Sequence, residues 1–307
     1  KAVICSLNFE SSNLSIPIIK VKNVKKTLSL ACSKFFKKKP ENIIAVTGTN
    51  GKSSVADFFY QILSLNNIPV ASIGTLGIKK KKIIKKLRLT SPDIISLHRE
   101  LAELKKSKIN HVILEASSHG LEQGRLNGIN FKAGIFTNFT QDHLDYHKNM
   151  EKYFNSKMIL FSKLLQKKKF VITDNSLSIY PKIENIAKKN KLKIISIDKN
   201  LNKNINIPEK IIGNFQIKNL SMAIIAARLC KIKNNKIFSK LKKISAVEGR
   251  LELIKKFPNG SKIFIDYAHT PDALTKVLQS LKNHYNQNIT LVFGCGGERD
   301  TKKRRLM

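Results

Sequence analysis

The sequence predicts an α/β fold in which helices cover both faces of a central, mostly parallel β-sheet, followed by a second, Rossmann-like α/β unit. Short runs rich in Val and Ile alternate with longer amphipathic segments from residue 43 to residue 231. A glycine-rich turn follows the first of these runs, and the same alternation starts again near residue 246. Strands that alternate with helices in this way are typical of parallel sheets with helical crossovers.

The individual elements follow from periodicity and from turn and capping signals. The predicted strands of the central sheet cover residues 43–46, 70–73, 111–115, 133–138, 170–173 and 193–197. The predicted helices cover residues 53–66, 92–107, 150–166, 178–189 and 214–231. In the second unit, the pattern predicts a strand, a helix and a strand at residues 262–267, 271–284 and 289–293.

Two of the helix starts carry the same signal. Ser-Pro-Asp at 91–93 and Thr-Pro-Asp at 270–272 each provide an N-cap hydroxyl, a Pro at the first helical position and an acid beside the helix dipole. Residues 1–40, by contrast, predict one or two short strands and then a polar linker.

The chain carries a large positive charge, which could indicate that it binds nucleic acids. The formal net charge of these 307 residues is +36, but only eight of the 57 cationic side chains are Arg. Proteins that bind nucleic acids specifically use Arg forks or interleave cations with aromatic side chains. Here aromatic residues make up 7% of the chain and Trp is absent. We therefore expect the lysines to lie on solvated faces and expect no specific nucleic-acid partner.

The cysteines and the apolar runs limit the location of the protein. Cys5, Cys32, Cys230 and Cys295 form no C-x-x-C pair, so neither a zinc site nor a disulfide framework is favoured, and a reducing cytoplasm is expected. No apolar run approaches the ~18 residues that span a membrane, and no signal peptide is visible. Because the first residue is Lys and the last ones follow a charged loop, we expect a piece of a longer protein.

Residues 47–54, T-G-T-N-G-K-S-S, lie between a predicted strand and a predicted helix. Such a loop can bind phosphate, because its glycines let backbone N–H groups approach the oxygens. Lys52 can reach the β- and γ-phosphates, and the Ser53 hydroxyl can bind Mg²⁺. The loop is a shortened P-loop, since Val46 stands where the strict pattern has Gly. It predicts ATP or GTP binding and leaves open what the energy is used for.

Acidic and imidazole side chains follow two of the predicted strands. Glu115 ends the strand 111–115 beside the phosphate loop and is a natural second ligand for Mg²⁺. After the strand 133–138 come Asp142, His143, Asp145 and His147. Their spacing alone is compatible with a zinc site, although zinc needs three or four ligands in a tetrahedral array and no Cys is near.

Eight short motifs follow one another along the chain, and their order points to a known family. They are T-G-T-N-G-K-S-S, L-T-S-P-D (89–93), E-A-S-S-H-G-L-E-Q-G-R (115–125), F-T-N-F-T-Q-D-H-L-D-Y-H (136–147), G-N-F-Q-I-K-N-L (213–220), V-E-G-R-L-E (247–252), D-Y-A-H-T-P-D-A-L (266–274) and F-G-C-G-G-E-R-D (293–300). Together they resemble the Mur ligases over nearly all of residues 40–307. T-S-P-D and S-S-H-G-L-x-Q-G-R are most similar to the MurE branch of that family.

The resemblance implies an ATP-dependent amide ligase of peptidoglycan synthesis. Its substrates would be UDP-MurNAc-L-Ala-D-Glu and a diamino acid, with meso-diaminopimelate favoured over L-lysine because G-C-G-G-E-R-D is closer to members that use it. The D-Glu carboxylate would attack ATP to form an acyl phosphate, which the amine then attacks, releasing ADP and phosphate. This agrees with the phosphate loop, since a carboxylate is a poor acylating agent until it is phosphorylated. The resemblance also implies a cytoplasmic monomer without membrane insertion.

Residues that match motif positions of the Mur ligases are given roles by the resemblance that their chemistry alone does not reveal. Catalytic positions of the family are matched by Lys52, Glu115, His143 and Lys157. Lys157 matches a lysine that CO₂ converts into a carbamate, and together with Ser53, Glu115 and His143 it would support two Mg²⁺ ions. The ATP contacts would be Gly48, Thr49, Asn50, Gly51, Lys52, Ser53, Ser54, Asn219, Arg250 and Asp266.

Further matches concern the other two substrates. The UDP-MurNAc-dipeptide would contact Thr90, Ser91, Ser117, Gln123 and Arg125, and Arg299 would meet the diamino acid. Leu89 departs from the family pattern, which often has Asn there, and the role of His269 is left open.

The resemblance divides the chain into three parts. Residues 1–40 would be the end of an N-terminal UDP-binding domain with its linker, 41–245 the central ATP-binding domain, and 246–307 the start of a truncated C-terminal domain that binds the amino acid. The segment that selects the diamino acid in the family would lie beyond residue 307. Two alternatives stay open: another superfamily ligase, of the folylpolyglutamate synthetase or cyanophycin synthetase type, and an inactive nucleotide-binding fragment.

Overall fold

The computed structural model describes residues 2–10, 15–81, 83–197, 208–294 and 305–307. The strands, numbered in chain order, are β1 Val3–Ser6, β2 Ile18–Val21, β3 Asn42–Thr47, β4 Val70–Gly74, β5 Gly77–Lys80, β6 Ile83–Lys85, β7 His111–Glu115, β8 Ala133–Phe136, β9 Phe170–Thr173, β10 Lys193–Ser196, β11 Glu252–Lys256 and β12 Lys262–Ile265.

The α-helices are α1 Val24–Phe35, α2 Lys52–Ser64, α3 Ile94–Lys106, α4 Ser118–Glu122, α5 Leu144–His147, α6 Met150–Ile159, α7 Tyr180–Lys189, α8 Asn214–Leu229, α9 Asn234–Ser239 and α10 Pro271–Tyr285. A π-helix, Leu160–Leu164, continues α6, and a 3₁₀ turn, Leu241–Lys243, follows α9.

The central sheet has the strand order β10-β9-β8-β3-β7-β4-β5-β6. Its strands from β10 to β4 run parallel, and β5, between β4 and the edge strand β6, is antiparallel to both of these neighbours. In the middle of the sheet, Ile44 of β3 lies between Ile113 of β7 and Ala133 of β8. The predicted mostly parallel sheet is therefore confirmed, and the carboxyl ends of β3, β7, β8 and β4 meet at one edge.

Helices cover both faces of this sheet, as predicted. Successive residues of β3 point to opposite faces: Ile44 and Val46 pack in the core under α2 and α8, whereas Ile43 and Ala45 pack in the core under α3, α6 and α7. A strand buried on both faces reads as a continuous apolar run, which is why the sequence of β3 lacks polar alternation.

The C-terminal unit consists of the antiparallel hairpin β11–β12 and α10. Leu251, Val277 and Ile212 form its small core against the central unit. The predicted strand 289–293 is wrong: these residues form no strand, and Val292 is 92% exposed. Its apolar sequence is typical of a buried strand, but no described strand lies alongside to accept its hydrogen bonds.

Three further differences have local physical reasons. α1 replaces the predicted linker, because the Asn23 side chain caps it by accepting from Lys26 N at 2.9 Å. The edge hairpin β5–β6 was not predicted, since β6 is only three residues long and all three are exposed. α3 is capped by Asp93, not by Ser91, and the Ser91 hydroxyl donates to the Glu115 carbonyl instead.

No helix in the described ranges combines the length and apolar character that a membrane crossing requires. Cys5, Cys32 and Cys230 are buried free thiols, and Cys295 lies outside the described residues. The Thr-Pro-Asp signal is confirmed at α10, where Thr270 Oγ1 accepts from Ala273 N at 3.3 Å.

Candidate active site

A cleft of about 780 Å³ opens at the carboxyl edge of the central sheet. The phosphate loop and the loops after β4, β7 and β8 form one wall, and the N-terminal end of α8, the residues after β12 and α10 form the other. Ligands of open parallel sheets bind at this edge. The cleft is therefore the candidate active site.

The backbone of the phosphate loop is tightly enclosed. Gly48 and Gly51 have φ angles of +140° and +84°, a region that favours glycine. A Cβ atom at Gly48 would lie 1.9 Å from Thr137 Oγ1, and one at Gly51 would lie 2.5 Å from Asn219 Oδ1. Gly51 directly precedes α2, so the free N–H groups of that helix face the loop. This glycine cradle fits a phosphate group.

The loop is held in shape by residues that follow β8. Asn138 accepts from Asn50 N through its side chain at 2.9 Å and from Thr49 N through its carbonyl at 3.0 Å. Thr137 Oγ1 donates to the Asn50 carbonyl at 2.6 Å. These contacts within the protein hold the backbone of the loop in place.

Lys52 is the first residue of α2 and lies against the loop. Its Nζ donates to the carbonyl oxygens of Gly48 at 3.0 Å and Thr49 at 2.7 Å. Burial lowers the pKa of Lys52, while the charges of Glu115 and Asp142 oppose this shift. The side chain of Lys52 therefore lies along the loop, and its contact with the phosphates stays a prediction.

Glu115 ends β7 with only 2% of its surface exposed. Its Oε2 accepts from Ser53 Oγ at 3.1 Å, and Ser53 in turn accepts from Arg250 Nη2 at 3.3 Å. A hydroxyl beside a carboxylate is the kind of oxygen set that Mg²⁺ prefers. Ser53 and Glu115 therefore fit a Mg²⁺ ion next to the phosphate cradle.

Lys157 lies on α6 and is 1% exposed. Its Nζ donates to the Gly48 carbonyl at 2.8 Å and lies 4.2 Å from the ring centre of Tyr153. Burial, reinforced by the charge of Lys52, lowers the pKa of Lys157 well below its ordinary value. A neutral amine is the form that reacts with CO₂, so this buried lysine is chemically suited to carbamate formation.

His143, at the N-terminal end of α5, has a φ of +54°. Its Nε2 lies 3.3 Å from Asp142 Oδ2, and His269 Nε2 reaches the same oxygen at 3.4 Å. Burial lowers the pKa of His143 to about 4, so the ring is neutral and can offer a nitrogen to a metal.

The zinc alternative finds no support in this cluster. Within the described residues, no group of three His, Cys, Asp or Glu side chains is arranged to hold a metal ion. His147 turns away from the cleft, with Nε2 2.9 Å from Ser118 Oγ and Nδ1 3.1 Å from Glu122 Oε2.

The residues predicted to bind the dipeptide substrate lie together beside Glu115. Ser91 Oγ accepts from Ser117 N at 3.0 Å, and Arg125 Nη1 donates to the Ser91 carbonyl at 2.9 Å. Arg125 Nε also donates to Gln123 Oε1 at 2.9 Å. Thr90 and Ser117 line the cleft, whereas Ser91, Gln123 and Arg125 are not among its lining residues. Arg299 lies outside the described residues.

The second wall carries the predicted contacts of the nucleotide outside the loop, and Asn219, Arg250 and Asp266 all line the cleft. The Arg250 guanidinium lies 4.2 Å from the ring centre of Tyr267. Asp266 accepts from the backbone N–H groups of Leu251 at 2.6 Å and Ala268 at 2.7 Å. Burial raises the pKa of Asp266.

Several residues at the site were missed at the sequence level. Thr75 contacts Glu115 and follows a predicted strand end, so the strand-end argument used for Glu115 could have found it. Gln216 is buried, accepts from Asn219 Nδ2 at 3.1 Å and donates to the Arg250 carbonyl at 3.4 Å. Tyr153 lies one helical turn before Lys157, and nothing in the sequence marks it.

Comparisons with known proteins agree with this geometry. Residues 46–209 match the Mur ligase middle domain, and residues 249–307 match the Mur ligase glutamate ligase domain. A UDP-N-acetylmuramoyl-L-alanyl-D-glutamate–2,6-diaminopimelate ligase from Rickettsia bellii is 38% identical, over 97% of this chain and 68% of that protein. The protein of the same name from Brucella melitensis is 34% identical, over 100% of this chain and 67% of that protein.

Solved structures give the same result for the fold. The structure of another diaminopimelate ligase of this name superposes with a TM-score of 0.74 at 29% identity, covering 96% of this chain and 66% of that one. A bifunctional folylpolyglutamate synthase/dihydrofolate synthase from Yersinia pestis shares the fold, with a TM-score of 0.67 at 15% identity, covering 84% of this chain and 70% of that one.

The chain spans about two thirds of the length of the diaminopimelate ligases. The family models together match most of the chain, and the relatives align along almost all of it. The resemblance found in the sequence motifs is confirmed. The chain therefore belongs to the Mur ligase family, a family of ATP-dependent ligases.

Proposed function

We propose that the chain carries the ATP-binding and bond-forming part of a ligase that joins meso-diaminopimelate to the D-Glu of UDP-MurNAc-L-Ala-D-Glu. The observation that carries this proposal is the convergence of the phosphate loop, the Glu115 carboxylate and the buried Lys157 amine in one cleft. The names of the similar ligases support diaminopimelate over lysine. We further propose that the protein works in the cytoplasm as a monomer.

ATP would be held between the two walls of the cleft. The loop from Gly48 to Ser54 would bind the phosphates, with Lys52 next to the groups where negative charge develops. Arg250 would counter phosphate charge from the opposite wall, because its fork already reaches Ser53. Asp266 and Asn219 line the same wall and would contact the nucleoside.

Ser53 and Glu115 would hold one Mg²⁺ ion, and His143 with the Lys157 carbamate would support a second. When bound, these ions neutralise charge on the transferring phosphoryl group. The described residues contribute the rest by positioning, since Ser53 and Glu115 are already in contact at 3.1 Å.

The Lys157 carbamate would form by attack of the neutral amine on CO₂, with loss of one proton to solvent. As an ammonium, Lys157 would face the like charge of Lys52 in a buried site, which is unfavourable. As a carbamate, it would carry a negative charge beside that cation. The modification therefore turns a repulsive pair into an attractive one.

The reaction would then proceed in two displacements. A γ-carboxylate oxygen of D-Glu attacks the γ-phosphorus of ATP, and the bond to ADP breaks. The free amine of diaminopimelate attacks the resulting acyl carbon, loses a proton and displaces phosphate. Ser117 and Thr90 line the cleft next to Glu115, where the dipeptide has to present its carboxylate.

A phosphate-release assay with the purified protein tests this function. We expect release only when ATP, UDP-MurNAc-L-Ala-D-Glu and a diamino acid are all present, and faster release with diaminopimelate than with lysine. Nucleotide binding without any release would support the inactive-fragment alternative. Release that depends on a folate and glutamate would instead support a folylpolyglutamate synthetase.

A further inference from the structure

We infer that Gly74 and Thr75 form a seat that fixes the carboxylate of Glu115, which makes Thr75 a positioning residue for the metal site. This inference rests on the proposed function, in which Glu115 binds Mg²⁺. Neither residue belongs to the motifs that identify the family in this sequence, and both lie about 40 positions before Glu115 in the chain.

The seat results from the pairing of two parallel strands. β4 runs beside β7 with Ile73 opposite Leu114, so the next residues, Gly74 and Glu115, lie side by side at the sheet edge. Thr75 follows directly and starts the turn into β5. The backbone of this turn therefore passes the Glu115 side chain at close range.

Thr75 binds both oxygens of the carboxylate. Its backbone N–H donates to Glu115 Oε1 at 2.8 Å, and its hydroxyl donates to Oε2 at 3.2 Å. Ser53 Oγ also donates to Oε2, at 3.1 Å. With a donor on each oxygen, rotation of the carboxylate would break at least one hydrogen bond. An ionised carboxylate accepts about four such bonds, so acceptor capacity is left for a cation.

Gly74 makes room for this arrangement. A Cβ atom at this position would lie 2.2 Å from Glu115 Oε1 and 2.6 Å from both Cδ and Cγ. Such distances are far shorter than any stable contact, so a side chain at residue 74 would displace the carboxylate. Glycine is needed here because of space, since its backbone angles are not in the left-handed region.

The hydrogen bonds of the seat continue toward the residues that would bind the dipeptide substrate. The single hydroxyl proton of Thr75 is used on Glu115, so in the 3.2 Å contact between Thr75 Oγ1 and Thr90 Oγ1 the donor is Thr90. The hydrogen bonds therefore run from Thr90 through Thr75 to Glu115. Thr90 is a proposed contact of the dipeptide, so the seat joins the substrate side of the cleft to the metal side.

The test measures metal binding separately from turnover. Binding of Mn²⁺ is followed by electron paramagnetic resonance in the presence of the non-hydrolysable analogue AMPPNP, for the wild-type protein and for T75V and T75S. Val removes the hydroxyl at nearly constant shape, whereas Ser retains it. We expect T75V to bind Mn²⁺ about 10- to 100-fold more weakly, and T75S to stay within about threefold of wild type.

Each outcome decides the inference. Equal Mn²⁺ affinity of T75V and wild type would overturn it while leaving the proposed function intact. Absence of Mn²⁺ binding by the wild-type protein would overturn both. Binding of AMPPNP without metal checks the folding of T75V. If T75V fails this check, T75A replaces it, and then equal affinities of T75A and T75S would refute the seat, whereas a gap of about tenfold would support it.

Discussion

The two walls of the cleft differ in how their residues are fixed. On the phosphate-loop wall, five of the six residues of β3 are buried, and an added Cβ on Gly51 would collide with Asn219. The hairpin β11–β12, which precedes the residues 266–269 of the other wall, is packed much less: four of the five residues of β11 are exposed, and Gly260 in the hairpin turn has no atom within 4 Å of an added Cβ. The difference shows that the proposed reacting groups lie where packing fixes the backbone.

The second wall reaches the site through a few polar side chains. Arg250 contacts Ser53 at 3.3 Å, and His269 contacts Asp142 at 3.4 Å. Variants that affect one wall and spare the other therefore test whether this division of roles is correct.

The largest effect, on phosphate release, is expected at Lys157, whose amine contacts Gly48 of the phosphate loop. We predict that K157A lowers phosphate release by about 10³-fold or more, because the buried carbamate position is lost, and that short carboxylic acids partly restore it. The exposed Lys152 on the same helix provides the control, since K152A should release phosphate like the wild-type protein. Full activity of K157A would contradict the assignment.

A matched pair of glycines compares the phosphate loop with the turn of the hairpin β11–β12. Gly51 and Gly260 both have a φ of +84°, so an Ala at either position carries a similar backbone strain. We predict that G51A weakens AMPPNP binding about 100-fold, because its Cβ would lie 2.5 Å from Asn219 Oδ1. G260A should lose about 1 kcal/mol of stability and keep its nucleotide affinity. Calorimetric titration of both variants checks this, and similar affinities would refute the cradle.

The phosphate-loop wall is built from elements that leave local signals in the sequence. A buried parallel strand, a glycine turn and a helix start are all local signals, so the phosphate loop and the position of Glu115 at a strand end could be read directly. The ligand role of Lys157 came only from family resemblance, because its neighbours in the fold, Gly48 and Lys52, are about 100 residues away in the chain.

The remaining features depend on contacts between distant segments. The seat at Gly74 and Thr75 exists only because β4 pairs with β7, which no local pattern specifies. At residues 289–293 the local pattern misleads in the other direction. An apolar run favours a strand, but it cannot form one without a neighbouring strand.

A smaller effect, on the KM for ATP, is expected at Arg250, which reaches across the cleft from one wall to Ser53 on the other. R250K keeps the positive charge but loses the planar fork that lies on Tyr267 and reaches Ser53. We predict a KM for ATP raised about tenfold with the unfolding temperature unchanged. The control is R228K, because Arg228 lies over Phe238 away from the cleft. An unchanged KM in R250K would mean that the second wall does not hold phosphate.

The last prediction concerns residues outside both walls and the stability of the fold. Val112 in β7 is fully buried, whereas Val292 is 92% exposed. We predict that V112A lowers the free energy of unfolding by about 2 kcal/mol and that V292A changes it by less than about 0.5 kcal/mol. Urea unfolding measures both. A large loss in V292A would show that residues 289–293 are packed after all.

The central claim is that this cleft activates a carboxylate by phosphorylation. The most direct measurement uses UDP-MurNAc-L-Ala-D-Glu labelled with ¹⁸O in the γ-carboxylate of D-Glu, together with ATP and diaminopimelate. Because acyl-phosphate formation leaves a substrate oxygen on phosphorus, each amide bond formed should yield one phosphate that carries one ¹⁸O atom. Phosphate without the label would contradict the account.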